Sequence, residues 1–322
     1  MKRRDFLAGL AMALAAPGLR GQTAARPARL GVLNFGAAPA AGAPDEAIVR
    51  HQRALGYVEG SNIVFERRYA GGARERFPEL AAELLRSRVD VIFAPGSDVT
   101  RALIAASPNV PVVFVASDDP VASGLVQSLA RPGGLFTGVA LMSPELGGKR
   151  LEYLKATLPA LRRVAVLYDK LHEFYLSQMR VPAGKLGLEL LPIEFNDAAD
   201  FPGAFATAVR GGAQAMFVAP NRFTLVFASR LAELSIQHGM PAISAYDSFA
   251  NAGGLLSYGP IQEDAAVRAA AQIDKILKGA RPADLPVEQP PRIALIVNRR
   301  TANALGLKLP QILLLQADRV IE

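Results

Sequence analysis

Val110-Pro-Val-Val-Phe-Val-Ala-Ser-Asp-Asp-Pro-Val121 is the stretch on which the fold turns. An apolar run without alternation, rich in β-branched and aromatic residues, suits a strand buried on both faces, as in a parallel sheet. Ser117, Asp118 and Asp119 follow, and Pro120 then stands where a helix would begin, with Asp or Ser as its N-cap. Open parallel sheets bind ligands beyond the carboxyl ends of their strands. Two acids at such an edge either cap a helix or face a ligand.

Around that stretch the first 130 residues alternate strand and helix. Strands are expected at Arg29–Phe35, Ile63–Tyr69, Val89–Ala94 and Val110–Ala116, then at Leu135–Leu141. Helices fall between them, one opening at Pro44-Asp45-Glu46 and one carrying an apolar stripe at Phe77, Leu80, Ala81, Leu84 and Leu85. This is the pattern of a parallel sheet with helices on both faces. Another helix is expected from Pro144-Glu145. The rhythm restarts at Arg163–Tyr168 and runs through strands near Leu188–Phe195, Ala213–Ala219, Pro241–Ala245 and Gly254–Tyr258. Pro182 is expected to kink or shorten the first helix of this half, and Phe223–Gln237 reads as one helix. Two halves of like rhythm point to an α/β protein of two doubly wound parallel-sheet lobes.

Composition narrows the function. Residues 1–25 combine Lys2, Arg3 and Arg4 with the apolar core Phe6–Ala16, too short to span a bilayer, and small residues follow. They read as an export signal, and Arg3-Arg4 ahead of Asp5-Phe6-Leu7 resembles a twin-arginine signal. Much of the net charge of +7 sits there, and the basic residues elsewhere are scattered, which argues against nucleic acid. Cysteine is absent, which excludes disulfides, thiolate catalysis and a lipid-anchor cysteine. The expected product is a soluble periplasmic protein.

Nothing in the chain advocates catalysis. His51, His172 and His238 stand alone without metal-binding spacing, and no G-x-S-x-G elbow, phosphate loop or dinucleotide fingerprint is present. No cofactor or metal is expected. Polar and aromatic residues do recur at strand ends: Asn34 and Phe35, Gly96 and Ser97, Ser117 and Asp118, then Tyr168 and Asp169, Asn221, and Tyr246 and Asp247. If the lobes face each other, these eleven residues line one cleft suited to a small polar ligand. The amides after Gly96-Ser97 can receive an anion, Asp118 or Asp119 an ammonium, and Phe35 and Tyr246 an apolar body. For any single acid, helix capping is the competing role.

A series of short motifs stands in order: Lys2-Arg-Arg-Asp-Phe-Leu7, Gly56-Tyr-Val-Glu-Gly-Ser-Asn62, Asp119-Pro-Val121, Arg131-Pro-Gly-Gly134, Gly138-Val139 and Glu145-Leu-Gly-Gly-Lys-Arg-Leu151. Gly253-Gly-Leu-Leu-Ser-Tyr-Gly259, Ile276-Leu-Lys-Gly-Ala-Arg-Pro-Ala-Asp-Leu-Pro286 and Asn303-Ala-Leu-Gly-Leu307 complete it. The set resembles the ABC-transporter substrate-binding proteins of the family that includes tryptophan- and tyrosine-binding members. The resemblance implies a type I periplasmic binding fold whose lobes are joined by three crossovers, near 137–141, 255–259 and 291–297. It implies a first lobe of 29–140 plus 262–285 and a second of 141–258 plus 291–322. It also implies a membrane permease and its ATPase as partners. One stretch departs from the family's pattern: Tyr168-Asp-Lys-Leu-His172 replaces an Asn/Pro-rich loop. Three functions are compatible with these features: a transport receptor for a small polar organic molecule such as an amino acid, a sensor presenting its closed state to a receptor, and an exported α/β enzyme.

Overall fold

Two sheets with the same internal order organise the molecule. A computed structural model describes residues 26–43, 46–141 and 146–322, so residues 1–25, expected to be an export signal, and the helix starts expected at Pro44-Asp45 and Pro144-Glu145 lie outside the described residues. The first sheet joins β1 (Ala28–Asn34), β2 (Ile63–Tyr69), β3 (Val91–Pro95), β4 (Val112–Ala116) and β5 (Phe136–Ala140), all parallel, in the order β2-β1-β3-β4-β5. β3 is buried along its whole length, as its unbroken apolar run requires. The second sheet contains β6 (Arg163–Tyr168), β7 (Glu189–Glu194), β8 (Ala215–Val218), β9 (Ala242–Ser244) and β10 (Leu256–Pro260) in the order β7-β6-β8-β9-β10, which repeats the first. β11 (Ile293–Asn298) then adds antiparallel to β10, and β12 (Arg319–Ile321) parallel to β11. The doubly wound, two-lobed α/β architecture is therefore as expected.

The helices wrap both sheets: α1 (Ala47–Ala54), α2 (Phe77–Arg86), α3 (Ser97–Ala105), α4 (Gly147–Thr157), α5 (Phe174–Lys185), α6 (Phe201–Arg210), α7 (Arg222–Val226), α8 (Ala228–Gln237), α9 (Asp247–Asn251), α10 (Gln262–Leu277), α11 (Arg299–Ala304) and α12 (Gln311–Gln316). On α2 the buried residues are Phe77, Leu80, Ala81 and Leu84, the stripe of a helix with one face on a sheet. The chain passes between the sheets after β5, after β10 and again before β11, and α10 packs back onto α1, β3, β4 and β5 of the first sheet. Gln272 on α10 fixes that return by donating to the carbonyls of Gly138 (3.1 Å) and Pro286 (3.0 Å).

Three local readings are corrected. Pro120 does not open a helix. The chain turns through 120–123, and Leu125 and Val126 both donate back to the Pro120 carbonyl. Asp119 serves that turn, accepting the amides of Val121 (2.8 Å) and Ala122 (3.2 Å). The helix expected over 223–237 is two, because Phe227 (φ −98, ψ 24) leaves helical geometry between α7 and α8. Pro182 neither stops nor shortens α5, which continues to Lys185. Its ring packs over Gly148 of α4, where a Cβ would come within 3.1 Å of the proline Cβ. The Gly147-Gly148 pair thus allows two helices to approach closely.

Gly138 carries a similar demand inside β5. A Cβ there would lie 2.1 Å from the backbone oxygen of Phe114 on β4. Gly138→Ala is expected to cost roughly 1–3 kcal/mol by forcing the two strands apart. Urea unfolding of the variant checks this, and an unchanged midpoint would show that the sheet edge yields freely.

One apolar cluster runs from one lobe to the other. It joins Leu33, Phe35 and Ala116 of the first to Leu167, Phe195, Phe201 and Phe223 of the second, all 3% exposed or less. The lobes are therefore in contact through their carboxyl-edge loops, and the cleft between them is closed.

Candidate ligand-binding site

The repeated strand order places a topological switch point in each lobe, between β1 and β3 and between β6 and β8, where ligands of such sheets bind. From the first lobe, Asn34 ends β1 and donates to Glu46 Oε1 (2.8 Å), which Tyr69 at the end of β2 also reaches (3.2 Å). Burial first, and then Glu46, push the Tyr69 phenol up to about 12, so it stays a donor. Gly96 begins α3 with φ +143, and a Cβ there would meet Asp98 Oδ1 at 2.8 Å, so glycine is required. The amides of Ser97 and Asp98 in the first turn find no backbone partner among the described residues.

From the second lobe, Asn221 ends the connection after β8 and caps α7, its side-chain oxygen accepting the Thr224 amide at 2.8 Å. That cap fixes the next residue, Arg222, whose Nε is buried without a partner. No carboxylate pairs with Arg222 among the described residues. Burial pulls its guanidinium pKa down, while Asp98, Tyr246 and Glu46 act in the opposite direction.

Two cavities meet at this side chain. The larger, ≈ 330 Å³, is lined by Asn34, Glu46, Ile48, Phe93, Pro95, Val115, Arg222 and Gln262, with alanines 47, 265 and 266. A smaller one, ≈ 20 Å³, is lined among others by Ser97, Asp98, Ser117, His172, Arg222 and Tyr246. The larger volume sits at the low end of the ~300–1,000 Å³ usual for small-molecule sites. Its walls are mainly apolar, and its few polar groups, Asn34, Glu46, Arg222 and Gln262, include one anion and one cation.

The eleven residues expected at the cleft separate into two groups. Asn34, Gly96, Ser97, Ser117 and Tyr246 line the cavities. Tyr246 is 3% exposed, and burial drives its phenol pKa up. The other six are engaged elsewhere. Phe35 packs against Phe77 and Phe223, with ring centroids 6.1 and 4.4 Å away. Asp118 accepts from Arg101 (2.5 Å) and from the Ser97 hydroxyl. Tyr168 belongs to the core of the second lobe, Asn221 is the cap just described, and Asp247 lies in the first turn of α9. Burial raises the Asp247 carboxyl pKa above its ordinary value.

Asp169 is the sixth. It pairs with Arg74 of the first lobe and holds His172 Nδ1 at 2.6 Å from Oδ1, and both acid and imidazole are 2% exposed or less. Burial alone would raise the Asp169 carboxyl, but His172 and Arg74 outweigh it and hold the pKa below the ordinary range. Arg74 also reaches Asp98 (3.3 Å) and lies over the Phe223 ring, 4.4 Å from its centroid. One arginine thus bridges both lobes beside the site.

Arg222, Glu46, Gln262 and His172 join the site without having been expected there. His172 carried one visible signal, the acid three residues before it, which is the spacing of a side-chain pair on a turn. No helix among the described residues is long and apolar enough to cross a membrane.

Comparison with known proteins agrees with this geometry. Residues 30–321 match the family described as ABC transporter substrate binding protein. The chain is 23% identical over 265 residues to a tyrosine-binding protein of Clostridioides difficile (strain R20291), covering 79% of this chain and 73% of that one. A conserved domain protein of Vibrio cholerae superposes with a TM-score of 0.82 at 25% identity, covering 92% of this chain and all of that one. An ABC domain from Streptococcus pneumonia, solved in complex with L-Trp, superposes with a TM-score of 0.81 at 22% identity over the same shares. The fold, the closed interlobe cleft and a family match over nearly the whole described length place the chain among the ABC transporter substrate-binding proteins, a family of solute binders rather than enzymes.

Proposed function

We propose that the chain is the exported, periplasmic receptor of an ABC importer, and that it captures a small organic carboxylate, an amino acid in the first instance, between its lobes. The observation that carries this reading is Arg222, a cation with no ion-pair partner at the junction of two cavities. A desolvated charge without a counter-charge is costly, and a ligand carboxylate removes that cost. The first-turn amides at Ser97 and Asp98 add donors for the same anion. Phe93, Ile48, Pro95 and Val115 offer an apolar wall to the rest of the molecule. The tyrosine- and tryptophan-binding relatives are consistent with a ligand of this size.

In this reading the lobes are 29–140 plus 262–285 and 141–258 plus 291–322. They move about hinges near 137–141, 255–259 and 291–297, where the chain approaches or leaves its crossings between the sheets. The ligand bridges both lobes and biases an open–closed equilibrium towards the closed form. A permease and its cytoplasmic ATPase would take over the closed complex, and no bond is made or broken in the cleft.

Mass spectrometry of ligand retained through purification, followed by a thermal-shift panel, tests the reading. A carboxylate at 100 times its Kd should add about 2.7 kcal/mol of stability. If neutral sugars shift the melting temperature and no amino acid or organic acid does, the carboxylate reading fails.

A further inference from the structure

The larger cavity holds a second charged group that the carboxylate end leaves unused. Glu46 stands at the N-cap position of α1, and its two oxygens have different surroundings. Oε1 accepts from Asn34 and Tyr69, while Oε2 is buried and has no hydrogen-bond partner. The Arg67 Nε approaches Oε2 only to 4.0 Å, and the rest of that guanidinium is committed to both oxygens of Glu59, at 2.7 and 2.9 Å. Asn34 and Tyr69 therefore hold the carboxylate in one orientation and leave one oxygen for another donor.

Arg222 lines the same cavity and feels the charge of Asp98 first and of Glu46 as well, yet it pairs with neither. Opposite charges lining one partly enclosed cavity ordinarily find each other, because each relieves the desolvation of the other. Here each is held apart, Glu46 by its two hydrogen bonds and Arg222 by the capped start of α7. A cation and an anion that line one mainly apolar cavity without pairing are complementary to a molecule that carries both charges.

We propose that Glu46 is the residue that selects for an ammonium group, so that the ligand is dipolar, with its amine on Glu46 Oε2 and its carboxylate on Arg222. Asn34 and Tyr69 are positioning residues that aim the carboxylate. This deepens the reading above and rests on it for the carboxylate end only. A simple organic acid would leave the buried Glu46 oxygen without a hydrogen-bond donor, and a neutral sugar would leave the Arg222 Nε without an acceptor as well.

Calorimetric titration with two matched sets separates the ends. One set is L-phenylalanine, 3-phenylpropionate and 2-phenylethylamine; the other is L-leucine, 4-methylpentanoate and 3-methylbutylamine. Hydrogen bonds to charged groups predict that the wild-type protein prefers the better-bound amino acid over its deaminated acid by roughly ten- to a hundredfold. Glu46→Gln, which keeps an oxygen for Asn34 and Tyr69 but loses the charge, should bring the two within about threefold of each other. Tyr69→Phe frees the carboxylate without removing it and should reduce the preference in part. A preference that Glu46→Gln leaves unchanged overturns the proposal while the Arg222 reading stands. An amine whose binding Glu46→Gln abolishes and Arg222→Ala spares keeps the Glu46 assignment and sinks the carboxylate reading. No binding of any of the six compounds overturns both.

Discussion

Arg222→Ala is expected to weaken ligand binding by roughly 30-fold or more while leaving the fold intact, the range for removing one partner of a buried, hydrogen-bonded charge pair, about 2–5 kcal/mol. In the ligand-free protein the substitution should be neutral or stabilising. The buried Nε has no partner to lose, and removing a desolvated cation relieves the closed cleft of its cost. The opposite signs of the two effects are the signature of a binding residue. An arginine that served the fold would lower both the affinity and the apo melting temperature. Titration calorimetry with the ligand recovered from purification, beside apo thermal melts, measures both quantities. Unchanged affinity in the variant would remove the observation on which the functional reading rests. Arg222→Lys should recover only part of the loss, because an ammonium lacks the planar fork that grips a carboxylate at two points.

The lobes were legible because parallel strands announce themselves. Val112 to Ala116 is buried on both faces, and the apolar run without alternation states as much. Strand ends are legible for the same reason, and Asn34, Gly96, Ser97, Ser117 and Tyr246, which the sequence puts at strand ends, line the two cavities. What a side chain does once it arrives there depends on neighbours distant in sequence. Asp118 reads as a free acid in the chain, but Arg101 and Ser97 turn towards it across one helix turn and one strand. Phe35 reads as a stacking surface, but Phe77 and Phe223 enclose it. Arg222 gives no sign beyond following Asn221, and only the cap at Asn221 and a buried Nε without a hydrogen-bond partner make it a site residue. β12 and α9 span three and five residues, too short for either periodicity to emerge.

Arg74→Ala is expected to open the cleft. Arg74 is the arginine that pairs with a carboxylate of each lobe, Asp98 at home and Asp169 opposite, and it lies over Phe223 as well. Breaking a buried ion pair by deleting one partner costs about 3–5 kcal/mol, because the remaining charge stays desolvated. That cost applies to the closed form, since water reaches both groups once the lobes part. Small-angle scattering should therefore show a larger radius of gyration for the variant than for the wild type. Ligand affinity should fall by roughly ten- to a hundredfold through the closing equilibrium, with no ligand contact removed. The same pair sets a pH limit. Asp169 is held below the ordinary carboxylate pKa of about 3.9, so its contribution is complete above that value and is lost as pH falls through its depressed one. The wild-type closed form should survive acidification to about pH 4 and loosen below it. In Arg74→Ala, Asp169 keeps only His172, a partner of its own lobe, so the acid-induced expansion should be smaller because much of the opening has already occurred. Equal scattering from the two proteins at neutral pH would mean that the apolar cluster of Phe35, Phe201 and Phe223 keeps the lobes together without the clasp.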